Sequence, residues 1–281
     1  MTSIFKHFQQ RGTMVELQLD PQKTALVLID LQNAVVGMNS APHSSVQVVE
    51  NSRKLADAFR VHGAPVVYVR ADLNDFMNLP VDQPHNLGDK PLPAAASEIT
   101  PSAGFQHGDI LVTKRHWGAF AGTDLEQQLK SRGIDTVVLT GISTNVGVES
   151  AARQGTGLGF AFVLVEDACS SHNAEHHRFA VENIYPRLTR VRTTDEVLAS
   201  LAEGLCRIRR TRPIGLEDHG RRGARLFSLA ARCDHRQRIA LQSRRGSAQQ
   251  PHGDSMGHQR LSSGTRSYAP AQWLDGGAHW S

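Results

Sequence analysis

Short apolar runs recur along the first two-thirds of the chain, and stretches with helical spacing separate them. Ala25-Leu-Val-Leu-Ile29 is apolar without a break, as suits a strand buried on both faces. Pro65-Val-Val-Tyr-Val69, Ile110–Thr113, Thr136–Thr140, Phe160–Val165 and Leu188–Arg192 repeat the theme. Between them the spacing predicts helices over Val46–Val61, from Thr123 to Gly133, from about Asn145, over Ala174–Ile184, and from Thr194 through Ala202. Gly63 and Gly133 stand where a helix would stop, and Thr123 and Thr194 where one would be capped. Strands that alternate with helices predict an α/β fold, a Rossmann-like three-layer α/β/α arrangement around a six-stranded parallel sheet. Every crossover is then expected to be right-handed.

The pattern lapses twice. Residues 71–108 carry Pro80, Pro84, Pro91, Pro93 and Pro101 and read as one long excursion. Connections of that length commonly serve as lids or contacts. The second lapse is a change of character near residue 204. Residues 15–203 hold 15 Lys and Arg against 22 acids, whereas 205–281 hold 14 Arg, no Lys and 5 acids. The expected division is an N-terminal extension, 1–14, a catalytic-type domain, 15–204, and an arginine-rich tail, 205–281, disordered apart from one helix near Leu226–Arg232. Such a tail could bind nucleic acid, but the plainer reading is a solvated extension. Cys169, Cys206 and Cys233 form no paired framework, which suits a reducing cytoplasm. No run of 18 apolar residues occurs, so neither a membrane span nor a membrane partner is expected.

In an open parallel sheet, ligands bind beyond the carboxyl ends of the strands, near the point where strand order reverses. Three segments meet that description: Asp30-Leu-Gln32, Lys114-Arg-His-Trp117 and Gly141-Ile-Ser-Thr-Asn-Val-Gly147. An acid and a lysine arriving at one edge are suited to proton transfer. The lysine either keeps the acid ionised or shares a proton with it in a dry pocket. Backbone N–H groups at the start of the helix after Thr144 could hold an oxyanion. Alone, Asp30 could be a turn residue and Lys114 a surface lysine; their joint placement favours chemistry.

Thr24-Ala-Leu-Val-Leu-Ile-Asp-Leu-Gln-Asn33, Thr113-Lys-Arg-His-Trp-Gly-Ala-Phe-Ala-Gly-Thr-Asp-Leu125 and Val138-Leu-Thr-Gly-Ile-Ser-Thr-Asn-Val-Gly-Val-Glu-Ser150 together resemble the isochorismatase-like (cysteine hydrolase) superfamily. Glu166–Ser171 and Ile184–Arg187 extend the match across about Thr24–Leu201. The resemblance implies strand order 3-2-1-4-5-6, a small-molecule substrate and a homodimer or homotetramer. It makes Asp30 and Lys114 the catalytic aspartate and lysine, and assigns the oxyanion N–H groups to Ser143 and Gly147. It also marks Ile142–Ser143 as a bond often cis in the family. Gln32, Trp117 and Phe120 complete the expected substrate-binding set, although the two aromatics could equally be core or interface residues.

Gly147 stands where amidases of the superfamily carry a nucleophilic cysteine, so their covalent route cannot run at this position. Isochorismatases proper also lack that cysteine and resemble acid catalysts, in which the aspartate protonates a vinyl ether that water then attacks. Hydrolysis by the Asp–Lys pair is the expectation, and no cofactor is expected. The alternatives are a binding or scaffold protein without catalysis, and an amide hydrolase with another nucleophile such as Cys169. Gly155-Thr-Gly-Leu-Gly159 imitates a dinucleotide fingerprint but lies at a helix end, where it reads as a loosened terminus. His172-Asn-Ala-Glu-His176 matches a zinc-peptidase pattern and reads as surface histidines. Nicotinamidases of the superfamily bind metal through histidines after the second strand; Ala71–Asp75 has none, so no metal is expected.

Overall fold

The computed structural model of the protein describes residues 16–77, 79–83 and 90–211. All of them lie in the first of two compact units, Met1–Asp234; the second, His235–Ser281, lies outside the described residues. So do the N-terminal extension and the expected helix at 226–232.

Six strands form one sheet: β1 (Thr24–Ile29), β2 (Val66–Ala71), β3 (Ile110–Lys114), β4 (Thr136–Ile142), β5 (Ala161–Ser170) and β6 (Arg190–Arg192). Their order is β3-β2-β1-β4-β5-β6 and every pairing is parallel. The reversal of strand order therefore falls between β1 and β4. All of β1 is buried, because helices cover both faces. The edge strand β3 instead alternates, with Leu111 and Thr113 exposed and Val112 and Lys114 buried.

Successive residues of each central strand feed opposite layers, as the twofold period of a strand requires. Ala25, Val27 and Ile29 pack with Leu125 and Leu129 of α3 (Leu125–Lys130) and with Ala151 and Ala152 of α4 (Glu149–Gly157). Leu26 and Leu28 face the other way, against Val48, Leu55 and Phe59 of α2 (Ser45–Val61) and Val197 and Leu201 of α7 (Thr194–Thr211). The remaining helices are α1 (Asn33–Val36), α5 (Ala174–Phe179) and α6 (Tyr185–Leu188).

Several boundaries differ from expectation. α7 continues to Thr211 instead of stopping at Ala202, so the arginine-rich segment begins within a helix. β5 runs on to Ser170, with a register irregularity opposite Leu139–Gly141. The predicted helix over 174–184 divides into α5 and a π-helical turn, Ala180–Ile184. Among its described residues, the 71–108 excursion contains two 3-10 turns, Ala94–Ser97 and Pro101–Ala103.

The glycine run does close α4, which ends at Gly157, but Gly155 also has a packing role. It is buried in α4, and a Cβ there would lie 2.3 Å from Cζ of Phe162 and 2.9 Å from Cε2 of Phe120. Only a residue without a side chain lets the helix sit this close to the sheet. Of the same run, Gly159 does make a turn, at φ 91°.

Candidate active site

β1 ends in Asp30, whose backbone takes φ 54°, a left-handed conformation that costs a non-glycine residue on the order of 1–3 kcal/mol. Its N–H donates to the carbonyl of Val69, 2.8 Å away, so the chain is held to β2 as it turns. Beside it, β4 passes β1 through Gly141, at φ 129°. A Cβ on Gly141 would stand 2.1 Å from the carbonyl oxygen of Ile29, so this approach needs glycine on two counts. The Ile142–Ser143 peptide that follows is cis. A π-helical turn, Thr144–Val148, then leads into α4.

Lys114 closes β3, two strands away from β1, a span of roughly 10 Å at the usual strand spacing. Its stem runs beneath the surface toward β1, and the residue is only 1% exposed. The ammonium stands 2.7 Å from Oδ2 of Asp30 and donates to the carbonyl of Trp117 at 2.8 Å. Burial pushes the Asp30 carboxyl above the ordinary carboxylate range, outweighing the opposing pull of the Lys114 charge and hydrogen bond. Such a group keeps its proton longer than a surface aspartate. Oδ1 of Asp30 and Oγ of Ser143 are both buried without a hydrogen-bond partner among the described residues.

Gly147 completes the arrangement. A Cβ built on it would lie 2.9 Å from Asp30 Oδ2, 3.2 Å from Lys114 Nζ and 3.3 Å from Cγ2 of Ile29. The bare α-carbon thus sits against the acid–lysine pair, and any side chain there would press on it.

Of the sequence-predicted set, Asp30, Lys114, Gly147 and the Ile142–Ser143 bond come together. Three others do other work. Gln32 is fully buried and clamps Ala71, donating from Nε2 to its carbonyl at 3.1 Å and accepting its N–H at 2.7 Å. Its amide thereby ties the chain after β1 to the end of β2. Phe120 packs in the core, stacked on Phe160 with centroids 5.7 Å apart. Trp117 is 47% exposed and lies edge-to-face with Phe76, and its contribution to the pair is its carbonyl. Cys169 is buried among the core side chains, and burial pushes its thiol up, which disfavours the thiolate a nucleophile needs. A cavity of about 240 Å³ lined by Glu16, Leu17, Arg192, Glu196 and Ser200 lies beside α7, away from these residues.

The turn carrying Ser143 and Gly147 is gripped by residues that sequence reasoning missed. The Tyr185 hydroxyl donates to the carbonyl of Thr144 at 2.6 Å, and Nδ1 of His177 lies 2.8 Å from the Thr144 hydroxyl. His177 Nε2 in turn meets Oε1 of Glu166 at 3.2 Å, and His43 Nε2 meets the same oxygen at 2.9 Å. These contacts, led by the one from His177, pull the Glu166 carboxyl down to about 2. His172 and His176 of the zinc-peptidase pattern are exposed, as the surface reading expects, and the histidine that turns inward is the next one, His177.

The strand order is that of one family, and the sequence agrees. A profile of the Isochorismatase domain matches residues 24–196. The chain belongs to the isochorismatase family. It is 47% identical over 189 residues to the uncharacterized isochorismatase family protein YecD of Escherichia coli O157:H7, covering 66% of this chain and 100% of that one. Similarity to YwoC of Bacillus subtilis (strain 168), another uncharacterized member, is 45% over 188 residues, covering 66% and 97%. A solved isochorismatase family protein from Burkholderia thailandensis superposes with a TM-score of 0.62 at 40% identity, covering 66% of this chain and 97% of that one. Among the described residues, no helix is long and apolar enough to cross a membrane.

Proposed function

We propose that this family member hydrolyses a small anionic or carbonyl-bearing metabolite by acid catalysis, without a covalent enzyme intermediate. The observation that carries the reading is the buried Asp30–Lys114 pair, at 2.7 Å, with the bare α-carbon of Gly147 against it. A carboxyl pushed upward by burial is a proton donor in waiting. In a vinyl ether, Asp30 would protonate the alkene carbon, and water would add to the oxocarbenium ion so formed, giving up a proton to the Asp30 carboxylate. The resulting hemiketal expels the alcohol. Lys114 holds the carboxylate left behind and offers charge to an anionic substrate. The N–H groups of Ser143 and Gly147 serve any negative charge that develops beside the turn. Gly147 leaves space where a thiol side chain would otherwise press on the acid.

The test is turnover by the purified full chain against isochorismate, simpler vinyl ethers, amides and ureides, with Asp30→Ala and Lys114→Ala in parallel. Vinyl ether turnover that falls by about 10²–10⁴-fold in Asp30→Ala supports the reading. Turnover unchanged in both variants contradicts it. Amide turnover would require water or another group as the nucleophile. Ligand binding without turnover on any panel member would favour a binding protein.

A further inference from the structure

We propose that His43, Glu166 and His177 form a binding site for a first-row divalent transition ion, Zn²⁺ in type, with coordination left open to water on one side. The three side chains come from the segment after α1, from β5 and from α5, and neither the acid–lysine pair nor the proposed reaction uses them.

The geometry is that of a ligand set. Nε2 of His43 and Nε2 of His177 converge on one carboxylate oxygen, at 2.9 and 3.2 Å, and the three candidate ligand atoms all lie within 4.8 Å of one another. Ligand atoms bound tetrahedrally at about 2.0–2.1 Å stand about 3.3 Å apart; both histidine–carboxylate separations are already close to that spacing, and the two imidazole nitrogens lie within 4.8 Å of each other. Two imidazoles and one carboxylate suit zinc and its neighbours better than magnesium or calcium, which prefer all-oxygen shells.

The surroundings are prepared as well. His177 is held from behind by Thr144, whose hydroxyl meets Nδ1 at 2.8 Å. A hydroxyl can donate or accept, so the ring can carry its proton on Nδ1 and present a lone pair at Nε2. A partner on the far nitrogen is the usual companion of a metal-bound histidine. His43 follows Pro42 in a segment pinned to the end of β5 by the paired backbone bonds of Ala41 and Ser171, at 2.7 and 3.1 Å. Ser44 then caps α2 by accepting the N–H of Gln47. On the other side, Asn173 caps α5 by accepting the N–H of Glu175. Backbone therefore fixes both histidines relative to β5 before any ion arrives, which lowers the ordering cost of binding.

Exposure is graded across the cluster. The His177 side chain is 3% exposed, His43 20% and Glu166 30%, so the site is closed on the His177 side and reachable by solvent on the other. Three protein ligands with an accessible fourth position is the pattern of open zinc sites. An ion there would join the 37–44 segment, β5 and α5, and through Thr144 would brace the turn that begins at Ser143.

The experiment is spectroscopic, on the full chain stripped of metal with a chelator. Co²⁺ is added as a coloured probe and then displaced by Zn²⁺, in wild type, His43→Ala and Glu166→Gln. The chain holds 14 histidines, so the difference between wild type and the variants isolates this site. The expected result is one equivalent of low-symmetry Co²⁺ absorption in wild type. Both variants should lose it, with affinity lower by more than the 10–100-fold typical of losing an outer-shell partner. Thr144→Val should show a loss within that 10–100-fold range. Glu166→Gln keeps the size of the side chain, so the comparison survives if His43→Ala folds poorly. Wild type without such absorption, or absorption of equal strength and affinity in both variants, overturns the proposal.

Discussion

Asp30 and Glu166 are two carboxylates at the same edge of one sheet, and their surroundings push them in opposite directions. Asp30 is nearly enclosed and faces one ammonium, and the loss of water dominates, so its carboxyl rises. Glu166 keeps a third of its side chain in contact with solvent and takes contacts from two imidazoles, so hydrogen bonding dominates and its carboxyl falls to about 2. One is suited to give a proton and the other to remain an anion. Residue type sets neither role; the balance of burial and partners does.

The sharpest way to break the contrast is to remove one partner of the buried pair. At pH above the raised Asp30 pKa, where the pair is charged, Asp30→Asn strands the Lys114 ammonium at 1% exposure, and losing one partner of a buried pair costs about 3–5 kcal/mol. Lys114→Met should cost less, because Asp30 can answer by taking a proton. The double variant should recover much of the loss, and urea unfolding of all four proteins would measure it. Strict additivity would mean that the two groups are not coupled.

The pH dependence of stability sharpens the same comparison. Asp30 has a raised folded pKa, so its contribution is complete below the unfolded value near 3.8 and is lost as pH rises through the folded value. Glu166 is depressed from 4.5 to about 2, so its contribution is present above pH 4.5 and is lost as pH falls toward 2. In metal-free protein, with His43 and His177 as the facing groups, wild type should lose more stability below pH 4.5 than Glu166→Gln does. Parallel curves would remove the hydrogen-bond explanation.

Two glycines give smaller effects. Gly155→Ala forces a methyl within 2.3 Å of Phe162 and should destabilise by about 1–3 kcal/mol. Gly147→Ala meets the ends of flexible side chains, at 2.9 and 3.2 Å, so it should cost less stability but disturb the acid–lysine pair. Chemical denaturation separates the two. Least of all, thiol alkylation of the native protein should leave turnover unchanged, since Cys169 is buried.

The strands and their grouping were legible because buried parallel strands are continuous apolar runs, as in β1 and β2. Asp30 and Lys114 were legible because each immediately follows or closes such a run. Gln32 was expected at the substrate and Phe120 either there or in the core; the Gln32 amide holds the Ala71 backbone and Phe120 packs in the core, and sequence cannot tell a polar side chain that clamps backbone from one that meets substrate, nor a core aromatic from a pocket aromatic. The helix end at the glycine run was legible, but the packing role of Gly155 was not, because it depends on Phe162, a contact with another element. The His43, Glu166 and His177 cluster had no local signature at all. His43 and Glu166 are 123 residues apart, and α5 alone decides that His177 turns inward while His176 does not.

The central claim is that Asp30 is the acid, and the pH profile of kcat/KM for a vinyl ether substrate tests it most directly. A protonated Asp30 predicts a rate that falls as pH rises through its raised pKa, with that limb absent from whatever activity Asp30→Asn retains. A rate that climbs over the same range, or a limb that survives in Asp30→Asn, would contradict the account.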